Sequence, residues 1–170
     1  MNIAIFGDSF ANGETDGEQK LEHLGLTQYL TDDGHLVVNF SRQGNTNDGV
    51  TMDYPFHLRQ NEHLKFDIAL VFQTEPSRET QEWIDNIKSG KSVNDVDVHM
   101  IKKYYGELLE SQKQFGVPIY LIGGTTDTLS PEVIKECGLN SACQSVVNLV
   151  LTGEHKIEEP TLSFVFPLHA

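Results

Sequence analysis

Asn2-Ile3-Ala4-Ile5-Phe6-Gly7-Asp8-Ser9-Phe10 opens the chain. Its apolar run is too short for a helix and stops at a glycine. That is the profile of a strand buried on both faces and ended by a sharp turn. The profile returns in Asp67-Ile68-Ala69-Leu70-Val71-Phe72, and again at residues 117–122, where Gly123-Gly124 ends it. Leu36-Val37-Val38, within residues 35–40, forms a second strand, and residues 161–166 form a last one that Pro167 cuts short.

Helical stretches lie between these runs. Residues 20–30 place Leu21, Leu24, Tyr29 and Leu30 on one face, ending near Asp33-Gly34. The longest helix spans residues 95–115, where Ile101, Tyr104, Tyr105, Leu108 and Leu109 fall at i, i+3, i+4, i+7 and i+8. Ser92 caps its start, Gly116 follows its end, and the two tyrosines belong to the core. Ser130-Pro131 signals another helix start. Strands alternating with helices predict a flavodoxin-like, three-layer α/β/α fold around a mostly parallel five-stranded sheet.

The chain has 170 residues, enough for one domain with a two-sided sheet, and no linker or repeat divides it. Its formal charge is −13, from 25 acidic and 12 basic residues. Such a field repels a phosphate backbone, and no basic stripe offsets it; Lys102-Lys103 reads as a solvated helix face. Nucleic acid is therefore not an expected partner. No stretch reaches the roughly 20 apolar residues of a membrane span, and the first residues already read as a strand rather than a signal peptide. Cytoplasmic location is the expectation. Cys137 and Cys143, placed in a helical-looking stretch, are read as unpaired thiols in a reducing compartment. No zinc spacing, calcium loop or glycine-rich phosphate loop occurs, so neither metal nor cofactor is expected.

In open parallel sheets, ligands bind beyond the carboxyl ends of the strands. That rule selects the loops starting at Gly7, Phe40, Phe72 and Gly123. In the first, Gly7 lets the backbone turn off the strand and exposes Ser9 at a following helix, with Asp8 beside it. A helix N-terminus there favours an alkoxide or oxyanion. The loop after the second strand reads Asn39-Phe40-Ser41-Arg42-Gln43-Gly44-Asn45-Thr46.

With these two blocks in order at adjacent strand ends, the chain resembles the SGNH (GDSL-type) hydrolases. That family has Gly-Asp-Ser after its first strand, and typically Asn-x-Gly-x-x-Gly-Asp/Asn-Thr after its second. Asn39, Gly44, Asn45 and Thr46 match, and Ser41 replaces the first glycine. The resemblance implies that Ser9 is the nucleophile and that the Ser9 and Gly44 amides form part of an oxyanion hole. It covers residues 1 to about 125 in element order.

The third and last blocks depart from the pattern. The family's third block is Gly-x-Asn-Asp, its asparagine donating to the oxyanion; here the loop reads Gln73-Thr74-Glu75-Pro76-Ser77-Arg78. An ionised glutamate accepts hydrogen bonds and cannot donate. Gln73, Asn45 and Arg78 are the substitute donors on offer, and Ser77 as a helix cap with Arg78 on the surface is the alternative reading of equal weight. The family's closing Asp-x-x-His has one counterpart in register, Phe166-Pro167-Leu168-His169, with the histidine but without the aspartate. The base is therefore His169 within this chain, lies beyond residue 170, or is lost. The ending after a strand, with no closing helix, favours a truncated domain. His155 reads as surface, and His23, His35, His57, His63 and His99 as structural. Asp127, after the fourth strand, either touches substrate, orients a base, or stabilises a turn.

The expected activity is serine-dependent hydrolysis of a small-molecule, carbohydrate or lipid ester. Asp8, Asn45, Gln73, Glu75, Arg78 and Asp127 are its candidate substrate contacts. The alternative is a non-catalytic binding or accessory domain on the same fold. A receiver or flavin-binding domain ranks behind both. Substrate and oligomeric state are not legible.

Overall fold

A computed structural model describes residues 1–12, 14–15, 21–23, 25–78, 80–124 and 127–145. Five parallel strands form the main sheet: β1 (Asn2–Phe6), β4 (Leu36–Asn39), β5 (Ile68–Gln73), β6 (Ile119–Gly123) and β7 (Asn140–Cys143), in the order β4-β1-β5-β6-β7. A separate antiparallel pair joins β2 (Glu14–Thr15) to β3 (Leu21–His23). The helices are α1 (Ser9–Asn12), α2 (Leu26–Asp32), α3 (Asn47–Gln60), α4 (Thr80–Lys88), α5 (Val93–Phe115) and α6 (Pro131–Glu136). This is the expected α/β architecture.

The period of two along a strand sorts the core into two faces. Ala4, Phe6, Ala69, Val71, Ile119 and Leu121 point to one side, where they meet Val50, Tyr54 and Leu58 of α3, Tyr104, Tyr105 and Leu108 of α5, and Ile134 of α6. Ile3, Ile5, Ile68, Leu70 and Phe72 point to the other, against Ala11 of α1 and Leu30 of α2. The register is continuous across the centre, with Ile5 opposite both Asn39 and Leu70. Both faces are covered, which is why these strands read as unbroken apolar runs.

The helix ends follow local chemistry. Ser92 accepts a hydrogen bond from the Asp95 N–H at 3.2 Å, and Gly116 closes α5 in the left-handed conformation, φ 68°. Thr46 caps α3 by accepting from Gly49 N–H at 3.0 Å. The buried Tyr54 hydroxyl donates to the Val117 carbonyl at 3.1 Å, and burial pushes its pKa well up. Lys103 pairs with Glu82 at 2.7 Å and Trp83 Nε1 donates to Asp97 at 2.7 Å, fastening α4 to α5.

Several expectations are corrected. The helix read over residues 20–30 is instead β3 followed by α2, because Gly25, at φ 52°, breaks the backbone between them. Cys137 caps α6 and Cys143 lies in β7, so the two cysteines do not share a helix; burial raises the Cys143 thiol pKa. The fifth strand of the sheet is β7, and the strand read at residues 161–166 lies outside the described residues. Helix α3 passes through Pro55. Among the described residues, no helix is long and apolar enough to cross a membrane.

Candidate functional site

The loops after β1, β4, β5 and β6 share one end of the sheet, since all these strands run parallel. The first leaves β1 at Gly7, where a Cβ would stand 2.7 Å from Phe72 Cβ and 2.9 Å from Ala11 Cβ. Only glycine lets α1 sit this close to the sheet. Ser9 is the first residue of α1 and is exposed, and Phe10 beside it is 44% exposed. Helix α1 has four residues, so its dipole adds little to the potential at Ser9.

The second loop is laced to the first. Arg42 N–H donates to the Gly7 carbonyl at 3.1 Å, and Asn45 N–H donates to the Arg42 carbonyl at 3.2 Å. Gly44, at φ 70°, occupies the positive-φ corner of that turn, with open space where a Cβ would project. Neither Ser9 N–H nor Gly44 N–H has an acceptor among the described residues, and both residues are exposed. Asn39 holds the arrangement from below: its amide donates to the Ala11 carbonyl at 2.6 Å and to Thr27 Oγ1 at 2.9 Å, and its oxygen accepts from Ser41 N–H.

A charged cluster underlies the rim. Asp8, 2% exposed, accepts from Phe10 N–H at 3.0 Å and from Arg78 Nη1 at 2.8 Å. Burial raises its pKa, and the Phe10 N–H and the guanidinium oppose that only in part. Arg78 Nη1 also donates to the Asn45 carbonyl at 3.3 Å, and its Nε pairs with Glu75. Arg78 thus joins the first three loops rather than lying free on the surface, and Ser77 sits inside the 3₁₀ turn Pro76–Arg78. Glu75 does not face the rim as an uncompensated charge.

The remaining predicted residues serve these loops. Asn45 is buried, its amide donating to Asp53 at 3.0 Å and to the Gly7 carbonyl at 3.4 Å. Gln73, 1% exposed, donates to the Asp127 carbonyl at 2.9 Å and accepts from the Tyr105 hydroxyl at 2.8 Å. Asp127 itself is exposed on the rim. His155 and His169 lie outside the described residues, as does any contact His169 makes with Ser9. His57, half-buried, stacks on Phe40 at 4.5 Å beside the core.

Two residues escaped sequence reading. Asn47 clamps the third loop by accepting from Thr74 N–H and donating to its carbonyl. Asp53 receives the side chains of both Arg42 and Asn45. Asn47 lies just past the matched Asn45-Thr46 pair, and its distance along the chain from Thr74 gives no sign of the clamp. Among the described residues no cluster of His, Cys, Asp and Glu is arranged to hold a metal.

No protein-family model and no curated protein matches the sequence. Solved structures do. The chain is similar to the psychrotrophic esterase EstA from Pseudoalteromonas sp., with TM-score 0.58 and 15% identity over 90% of this chain and 81% of that one. It is similar to AlinE4, an SGNH-hydrolase family esterase, with TM-score 0.56 and 16% identity over 95% and 86%. It is also similar to the lipase Lip_vut3 from a goat rumen metagenome, with TM-score 0.52 and 18% identity over 85% and 78%. What is shared is the fold. At this end of the SGNH-hydrolase-like fold, the exposed residues with unspent polar groups include Ser9 and Gly44.

Proposed function

We propose that the protein is a serine-dependent ester hydrolase with Ser9 as its nucleophile. One observation carries this reading: Ser9 is exposed beside a second loop whose Gly44 N–H, like its own N–H, has no acceptor among the described residues. The fold shared with esterases supports it.

In the proposed reaction, Ser9 Oγ attacks the acyl carbon while its proton passes to a histidine, His169 in this chain. The carbonyl electron pair moves onto oxygen, and the Ser9 and Gly44 amides bind the resulting oxyanion. Collapse expels the alcohol, which takes the proton from the imidazole. Water then cleaves the acyl-serine by the same sequence and releases the acid. Asp127, on the same rim, is the proposed carboxylate that orients the base. The substrate is a small-molecule, carbohydrate or lipid ester.

The test is a fluorophosphonate probe followed by mass spectrometry. The EstA structure is of an enzyme inhibited by monoethylphosphonate. Here, modification at Ser9 together with turnover of short-chain acyl esters is the expected result; an unmodified Ser9 overturns the proposal. A second reading, a binding domain without catalysis, is favoured by the acid at Glu75 where the family has a donor. It requires Ser9→Ala to leave ligand affinity and function unchanged.

A further inference from the structure

We propose that Arg78 supplies the third oxyanion donor, filling with a guanidinium the place that asparagine holds in the family's third block. This rests on the esterase reading above and assigns a catalytic residue within it.

Three side chains near the rim are candidates: Gln73, Asn45 and Arg78. The Gln73 amide is 1% exposed and donates to the Asp127 carbonyl beneath the rim. Both amide hydrogens of Asn45 have acceptors, Asp53 Oδ2 and the Gly7 carbonyl. An arginine has five N–H donors in a rigid fork. Arg78 uses Nε on Glu75 and Nη1 on Asp8 and the Asn45 carbonyl. Its Nη2 group has no acceptor among the described residues, and the side chain is 31% exposed.

Position agrees with the count. The two acceptors of Nη1 are Asp8 and Asn45, the chain neighbours of Ser9 and Gly44. The guanidinium is therefore held between the two turns that carry the Ser9 and Gly44 amides. Asp8 and Glu75 fix it on two sides, so little reorganisation is needed when negative charge appears. Charge-assisted hydrogen bonds are also about twice as strong as neutral ones. Glu75, unable to donate, becomes the residue that positions the donor.

The experiment compares wild type, Ser9→Ala, Arg78→Met and Arg78→Lys in p-nitrophenyl acetate turnover and in the rate of fluorophosphonate capture at Ser9. Arg78→Met is expected to lower kcat roughly 100- to 1,000-fold with KM little changed, and to slow capture in parallel. Arg78→Lys restores part of the loss, as does added methylguanidine with Arg78→Met. Circular dichroism melts taken alongside report whether the variants fold, and Arg78→Leu, likewise unable to donate, is measured in case the methionine variant does not. If wild type reacts at Ser9 and a folded Arg78→Met or Arg78→Leu matches it within about twofold in both assays, a donor worth 100-fold is not there. The Arg78 assignment then falls while the esterase reading stands. If wild-type Ser9 never reacts, both fall.

Discussion

Asn47 and Thr74 hydrogen-bond in both directions: the side-chain amide of Asn47 accepts from Thr74 N–H at 2.9 Å and donates to its carbonyl at 3.1 Å. Both residues are buried. The first residue of α3 thereby pins the loop that leaves β5. Replacing Asn47 by alanine strands a buried N–H and a buried carbonyl, at about 1–3 kcal/mol each before relaxation. Asn47→Ala is expected to destabilise the fold by about 2–4 kcal/mol in urea titration. A change below about 0.5 kcal/mol, the size of an ordinary surface substitution, would show that water takes over both bonds.

Ser9 contributes exposure and chemistry rather than packing. Ser9→Ala should remove fluorophosphonate capture and ester turnover while unfolding free energy stays within about 0.5 kcal/mol of wild type. Retained turnover in this variant moves the nucleophile elsewhere.

The two glycines of the rim are needed for different reasons, and alanine separates them. Gly7→Ala drives a methyl into Phe72 and Ala11, so overpacking of about 1–3 kcal/mol is expected. Gly44→Ala meets nothing within 4 Å and suffers only the left-handed backbone, about 1 kcal/mol. Denaturant midpoints should therefore fall further for Gly7→Ala; the reverse order contradicts the packing described around β1.

Asp8 makes a pH-dependent prediction. Its pKa in the folded protein is raised by burial above the ordinary 3.8. For such a group the folded state holds the proton more tightly than the unfolded state. Its contribution to stability is complete below 3.8 and declines as pH rises through the folded-state value. Asp8→Asn, which keeps acceptor oxygen for Phe10 N–H, removes that decline. The difference in unfolding free energy should shift toward the asparagine variant as pH rises from below 3.8 toward neutrality. A shift toward wild type would mean that the bond to Arg78 outweighs desolvation.

The central strands are legible in sequence because both faces are covered, so Ile3 to Phe6 and Ile68 to Phe72 carry apolar side chains at every position. Strand β7 is not legible, since Asn140-Ser141-Ala142-Cys143 lies at the sheet edge and its first two residues are polar. Helix α3 is obscured by Pro55, which local propensity disfavours but which Val50, Tyr54 and Leu58 override by packing into the core. In the site, the turns at Gly7 and Gly44 follow from local rules. The bond between Asp8 and Arg78 spans 70 residues and leaves no trace in spacing. The bond between Asn45 and Asp53 is equally unmarked, since Asp53 is ordinary in its own segment. Local chemistry marks where the loops turn; what ties them together appears only once the sheet brings them side by side.

The missing methyl at Gly7 has a consequence for how this rim tolerates change. With nothing between the opening strand, its neighbour and the one-turn helix, the serine's height above the sheet is inherited from the barrier-like middle of the molecule, not from the loops. Insertions or exchanges in the outer turns would then reshape what surrounds the hydroxyl while its own coordinates stay put, a division of labour that lets recognition drift without relocating the reacting atom.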